Sequence, residues 1–232
     1  MSHPSLLVLC PTRGRPHEAK EAYDAFVATK ELPGTRIIFA IDDDDPLAVE
    51  YDHDTPTLLQ RSPGNMVHAL NMAAAWAIEH LEPDYLGFIG DDHRFRTKGW
   101  DRYMLEALEA KGGGLAYGND LFWAKGEIPT QIFMSASIVG ALGWMGLPTC
   151  THLYIDNAWR KIGEELQCLY YMPDIVIEHM HPAAGKGGWD EGHLRVNTEA
   201  MYSHDREAFE HWVATSAEGD IARARATYGS LT

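Results

Sequence analysis

Apolar positions along this chain recur with two periods, one that suits a buried strand and one that suits a single helix face. Ser5 to Cys10 is a short apolar run closed by Pro11 and reads as a strand. From Pro16 to Lys30, Ala19, Tyr23, Phe26 and Val27 fall at helical spacing, with Pro16 suited to the first turn. Arg36 to Ile41 is a β-branched strand running into four aspartates, and Thr57 to Gln60 reads as another short strand. Gly64 to Leu81 sets Met66, Leu70, Ala73, Ala77 and Leu81 on one helical face. Tyr85 to Ile89 is a buried strand that meets Gly90-Asp91-Asp92; Gly99 to Lys111 then reads as helix and Gly114 to Tyr117 as extended.

Strands separated by helices imply βαβ units and a mostly parallel, Rossmann-like α/β sheet. Ligands of such sheets bind beyond the carboxyl ends of the strands. Three of those ends carry polar clusters here: Pro11-Thr12-Arg13-Gly14-Arg15, Asp42 to Asp45, and Asp91-Asp92-His93. Further on, Thr151 to Leu166 reads as a helix, and Ile175 to Ile177 as a strand running into Glu178-His179-Met180-His181-Pro182. Ala183 to Gly192 is a glycine-rich loop, and Asn197 to Tyr228 reads as one or two outer helices. Glu199, Asp205, Arg206, Glu207 and Glu210 look like a solvated face in that tail.

Composition narrows the class. The 232 residues suit one domain with at most a small appendage, and 45% apolar with 23% charged residues is ordinary globular usage. No apolar run approaches the ~18 residues of a membrane span, and the first strand is too short for a signal-peptide core. Cys10, Cys150 and Cys168 are an odd number at spacing unlike a metal site, so they read as reduced, buried thiols of a cytoplasmic protein. A net charge of −15 argues against non-specific coating of nucleic acid.

Each cluster has a chemical reading beside a plain one. Adjacent carboxylates at a strand end, Asp91 and Asp92, suit Mg²⁺ or Mn²⁺; they also suit a solvated turn. One of Asp42 to Asp44 could accept from a ribose or base, or the run could be a solvated loop. Arg13 and Arg15 flank Gly14 where guanidinium groups could hold a phosphate. His179 and His181 are expected to point to opposite faces, so one could ligate metal while the other packs. Gly185 to Asp190 has the glycines, cation (Lys186) and aromatic (Trp189) of a closing lid. Asp156 lies early in a helix, as a base or as a helix-dipole carboxylate.

Taken in order, these residues resemble nucleotide-sugar glycosyltransferases of the GT-A fold, particularly the family-two group and its small phage and bacterial relatives. The resemblance runs from about Leu6 to Asp190. Pro11 to Pro16 is similar to the family's first nucleotide-binding loop, Asp42 to Asp44 to its nucleoside carboxylate, and Gly64-Asn65 with Ala69, Leu70 and Asn71 to its donor-site helix. Phe88 to Asp92 resembles the D-x-D region, with Gly90 in place of its first carboxylate. Ile155-Asp156 resembles the E-D motif, with Ile155 in place of glutamate. His181 matches the late metal-binding histidine. The resemblance implies a GT-A domain over residues 1–195, with a donor half to about 100 and an acceptor half after it, then a helical extension over 196–232.

It also implies the chemistry. A nucleotide-sugar donor, most plausibly a UDP-sugar, would be bound by Pro11, Thr12, Arg13, Arg15, Asp42, Asp43, Asp44, Asn65, Asn71, Asp91, Lys186 and Trp189. Mn²⁺ or Mg²⁺ on Asp92 and His181 would neutralise the leaving diphosphate, and Asp156 would be the base of an inverting transfer. The Q-x-x-R-W signature of processive relatives is absent, so single transfer is expected. Two rivals stay open: a nucleotidyltransferase acting on sugar phosphates, and a binding module without turnover. The acceptor could be a modified base in phage DNA, a protein or a glycan; the basic run Arg94 to Lys98 is either a phosphate-facing patch or a solvated turn. Oligomeric state is not legible.

Overall fold

The computed structural model describes residues 3–61, 64–123 and 126–228. Its first half follows the βαβ expectation: β1 (Leu6–Thr12), α1 (Pro16–Thr29), β2 (Thr35–Asp42), β3 (Thr57–Gln60), α2 (Met66–Leu81) and β4 (Tyr85–Phe88). Then come β5 (His93–Phe95), α3 (Trp100–Glu109), β6 (Leu115–Asn119), β7 (Ile132–Ser135), α4 (Ala136–Leu142) and α5 (Ile155–Glu165). The chain ends with β8 (Leu169–His179), α6 (Glu191–Val196), α7 (Glu199–Thr215) and α8 (Ala217–Tyr228).

The strands form one sheet in the order β3-β2-β1-β4-β7-β6-β8-β5. β3, β2, β1 and β4 run parallel, as do β6 and β8. β7 is antiparallel to both β4 and β6, and β5 is antiparallel to β8. β1 runs through Pro11 to Thr12, two residues further than its apolar run. Pro11 lies on the β4 side with Leu9, where Leu9 already faces Phe88 at the end of β4. Its missing N–H therefore removes no ladder bond, the condition under which proline is tolerated in a strand.

Both faces of the sheet are covered. Along β1, Leu7 and Leu9 enter a core shared with α2, α4, α5 and the last two helices, while Leu6, Val8 and Cys10 enter one shared with α1 and α3. Strict alternation between two apolar environments makes a central strand read as one continuous apolar run. All three cysteines are free and buried. No helix of the described residues is long and apolar enough to cross a membrane.

Two expectations hold only in part. In the run Arg94 to Lys98, the first two residues belong to strand His93 to Phe95, Phe95 is buried, and the buried Arg94 guanidinium pairs with Glu21 at 2.6 Å. The rest is a solvated turn: Arg96 and Lys98 are exposed, and Arg96 pairs with Glu178 at 2.8 Å. The charged face of the tail is solvated at Glu199, Arg206, Glu207 and Glu210 but not at Asp205. Trp212, Ala217, Ile221 and Ala224 are buried in the first core, and Asp205 is 0% exposed.

Candidate active site

The carboxyl ends of β1, β2 and β4 open into a cavity of about 880 Å³, within the roughly 300–1,000 Å³ of small-molecule sites. Its wall includes Pro11, Thr12, Arg13, Arg15, Asp42, Asn65, Asp91, Asp92, Asp156, His181 and Trp189 from the sequence reading. Asp43, Asp44, Asn71 and Lys186 are not part of the wall. Both ends of the chain's fold contribute to it, since Arg195, Asn197, Met201 and Tyr202 close the far side.

The β1 loop is held by carboxylates. Arg13 pairs with Asp42 at 3.2 Å and with Asp44. Gly14, at φ +68, donates its N–H to Asp45 (2.7 Å), which also accepts from the Tyr51 hydroxyl (3.2 Å) and the Leu47 N–H (2.9 Å). So the acidic run divides its work. Asp42 faces the cavity, Asp44 pins Arg13, Asp45 fixes the turn, and Asp43 is exposed. Arg15 bridges Asp91 (2.7 Å) and Asp190 (3.1 Å), and the Thr12 hydroxyl donates to Asp91 at 2.7 Å. Burial pushes the Asp91 carboxyl up to about 6, against the opposing pull of Arg15 and with repulsion from Asp92.

Asp92 sits among imidazoles. His179 Nε2 lies 3.1 Å from its Oδ2, His193 Nε2 3.6 Å from the same oxygen, and His93 Nδ1 3.3 Å from Oδ1. Burial raises the Asp92 pKa, but the charge and hydrogen bond of His179, with the His193 and His93 imidazoles close by, outweigh it and hold the carboxylate well below its usual range. Ligand atoms of Asp92, His93 and His179 all fall within 4.8 Å of one another, as a metal-binding group requires. The expected divergence of His179 and His181 fails, because residues two apart on an extended chain share a face. β8 ends at His179, the backbone turns, and the two rings meet edge-on at 5.2 Å.

Lone pairs separate these rings. His93 Nδ1 accepts the Gly90 N–H (3.1 Å) and His181 Nδ1 accepts the Ala183 N–H (3.1 Å), so each neutral ring carries its proton on Nε2. His179 Nδ1 has no hydrogen-bond partner among the described residues, and His193 lies between two carboxylates, its Nδ1 2.8 Å from Asp190 and its Nε2 3.6 Å from Asp92. Buried polar atoms without partners signal a missing ligand. A Cβ on Gly90 would lie 2.7 Å from Asp92 Oδ1 and 3.2 Å from His93 Nδ1. The residue at the first carboxylate position of D-x-D is glycine because the cluster fills that space.

Asp156 opens α5 on the opposite wall. Its Oδ1 accepts the Asn157 N–H at 2.8 Å, and burial pushes its pKa up to about 6. The helix starts four residues later than the apolar pattern predicts, because the N–H groups of Thr151, His152 and Leu153 are taken by the buried Asp205 carboxylate at 2.9, 2.9 and 2.6 Å. Tyr154 then adopts φ +62, a left-handed conformation that a tyrosine holds only under constraint. His152 lines the cavity with its pKa pushed down to about 4 by burial.

The remaining expected residues are occupied with structure. Asn65 caps α2 by accepting the His68 N–H at 2.8 Å while facing the cavity. Asn71 bonds the backbone of Met145 and Gly146 with both ends of its amide. Lys186 pairs with Glu178 at 3.1 Å and donates to the Leu121 carbonyl. Trp189 is at the cavity mouth, and Asp190 caps α6 through the His193 N–H (2.8 Å). Of the residues the sequence reading leaves out, His193 lies just after the glycine-rich loop and Tyr202 in the helical tail; Asp205 is read there only as part of a solvated face, and its burial is what sets it apart.

Solved structures share this architecture. A mannosyltransferase from Pyrobaculum calidifontis, in complex with GDP-Man and Mn²⁺, superposes with a TM-score of 0.59 at 14% identity over 99% of this chain and 75% of that one. The fold is GT-A. Glucosyl-3-phosphoglycerate synthase from Mycobacterium tuberculosis, with Mn²⁺, UDP-glucose and phosphoglyceric acid, gives 0.59 at 11% identity, covering 89% of this chain and 78% of that one. Residues 1–349 of S. aureus TarS give 0.53 at 11% identity, over 98% and 83%. No protein-family model and no curated protein sequence matches the chain. The GT-A sheet thus accounts for where the cavity lies; its chemistry rests on this chain's own residues.

Proposed function

We propose that the protein is a metal-dependent, inverting, non-processive glycosyltransferase that moves a sugar from a nucleoside-diphosphate donor to an acceptor hydroxyl. One observation carries this reading. A buried Asp92–imidazole cluster and a desolvated carboxylate, Asp156, face the same cavity at the carboxyl edge of a GT-A sheet. Arg13, Arg15 and Asp42 would bind the nucleotide beside β1, with Pro11, Thr12, Asn65 and Asp91 shaping that wall and Trp189 its mouth.

Asp92, His179 and His193 are the groups that fit a divalent cation, since their carboxylate oxygens and imidazole lone pairs are not consumed by backbone donors. His181 is replaced in that role because its Nδ1 is already bonded to Ala183. One carboxylate with two imidazoles suits Mn²⁺, and other first-row ions, better than Mg²⁺. The bound cation would supply Lewis-acid neutralisation of the departing diphosphate. Asp156, ionised near neutral pH yet basic for a carboxylate, would take the acceptor proton as the hydroxyl attacks from the face opposite the leaving group, which inverts the anomeric centre. Arg15, released from Asp190, would add a cation to the diphosphate.

The test is donor turnover with Mn²⁺ across UDP- and GDP-sugars. A transferase releases nucleoside diphosphate and sugar slowly in the absence of acceptor. Pyrophosphate release from a nucleoside triphosphate would indicate nucleotidyl transfer instead, and donor binding without any turnover would indicate a binding module.

A further inference from the structure

The cavity has a second feature besides its carboxylates and arginines. Five rings form a continuous wall: Trp123 to Phe122 at 5.3 Å between centroids, Phe122 to His181 at 5.6 Å, His181 to Trp189 at 5.8 Å, and Trp189 to His193 at 6.1 Å. All five line the cavity. Two of these rings are open, Trp123 at 41% and Trp189 at 51% exposed, and Tyr202, 45% exposed, lies on the same lining. Indole rings are seldom left half in water around a polar cleft unless something covers them.

Charge restricts what that is. Asp42, Asp91, Asp92 and Asp156 all face the cavity. Of the arginines there, Arg13 and Arg15 are engaged by carboxylates, and Arg195 has no ion-pair partner among the described residues. Nucleic-acid binding requires several phosphates to be neutralised at once. One unpaired guanidinium on a chain of net charge −15 does not do that. In the basic run, Arg94 and Arg96 are held by Glu21 and Glu178, and no residue of the run lines the cavity. An uncharged ring with an apolar face and hydroxyl edges matches this surface: C–H groups on the indoles, hydroxyls toward Arg195, Asn197 and His152.

We propose that the acceptor is an uncharged saccharide whose pyranose ring stacks on the Trp123–Trp189 wall. This rests on the transferase reading, because it assumes that a hydroxyl from the stacked sugar is the group that reaches Asp156. In the transfer, the acceptor O–H loses its proton to the Asp156 carboxylate and forms the new bond to the anomeric carbon. The bond from that carbon to the diphosphate oxygen breaks, and nucleoside diphosphate leaves with the electron pair.

The test uses the intact protein with Mn²⁺ and nucleoside diphosphate. Methyl pyranosides and neutral oligosaccharides are titrated by saturation-transfer NMR and tryptophan fluorescence, beside a single-stranded oligonucleotide and a Ser/Thr-rich peptide. Saturable saccharide binding is expected, weakened about 5–10-fold in Trp189→Ala and in Trp123→Ala, in keeping with the loss of one stacking partner. Trp189→Phe should restore most of it, which a folding defect would not. Saccharides that fail to bind, or an oligonucleotide or peptide bound or glycosylated in their place, overturn the proposal. Donor hydrolysis on the same sample separates the two readings: hydrolysis without saccharide binding removes the acceptor assignment alone, and saccharide binding without hydrolysis removes the transferase.

Discussion

At the scale of single residues, Asp156 has a pH signature. Its carboxyl is raised on folding to about 6, so the ionised base is lost as pH falls through that value. The transfer rate at saturating donor should therefore drop on the acid side with an apparent pKa near 6. Asp156→Asn should lower transfer by roughly 10²–10⁴-fold and leave donor affinity near normal, measured by single-turnover assay and titration calorimetry. Stability should move the other way. A carboxyl with a folded pKa above its unfolded value is least favourable when ionised, so the Asn variant should melt no lower than the parent at pH 7–8. Any gain should vanish below roughly pH 4, where both states are protonated. A clear loss of melting temperature at neutral pH would make Asp156 a helix-dipole carboxylate instead. Gly90→Ala should weaken Mn²⁺ binding about tenfold, because the added methyl strikes Asp92 and His93 while touching no backbone; calorimetry with metal alone reads this.

At the scale of elements, the 151–157 segment depends on a helix that follows it in the chain. Asp205→Ala removes the acceptor of three N–H bonds and should cost about 3 kcal/mol of stability. Asp205→Asn keeps the shape but turns a donor toward donors. Hydrogen exchange should show protection lost over 151–157 in both variants. kcat should fall while the KM for donor stays near normal, because the nucleotide side of the cavity is built from β1 and β2. A fall in donor affinity of the same size would place the defect elsewhere. Sequence patterns revealed the elements with a dominant period, β1, α1, β2, α2, β4 and α3, and with them the three strand-end clusters that face the cavity. They missed β5, β7 and α4, which are three, four and seven residues long and largely buried, so no polar face marks a period. β8 was read only at Ile175 to Ile177 because Pro173 and exposed neighbours interrupt its alternation. Spacing does not separate His179, His181 and His193 as metal ligands, because it does not say which lone pairs the backbone already holds.

At the scale of the molecule, the cation is expected to tie separate parts together. His179 ends β8, His193 belongs to α6 and Asp92 follows β4. Chelation should abolish turnover and loosen α6, seen as faster exchange over residues 185–196 and altered Trp189 emission. Mn²⁺ should restore both better than Mg²⁺. Full turnover in excess chelator would remove the metal assignment. Because α8 packs into the same core as α2 and α5, heat should unfold the chain in a single transition, with no separate event for residues 196–232. The Asp205 anchor has a further consequence, in time. Thr151 to Leu153 precede it by 54, 53 and 52 residues, and a ribosome adds residues one by one, at roughly 5–20 per second. For some seconds the nascent chain therefore holds the β1 and β2 wall of the cavity without the anchored 151–157 segment. The half of the cleft that carries Asp156 is completed last, so under the proposed function an unfinished polypeptide would not turn over donor.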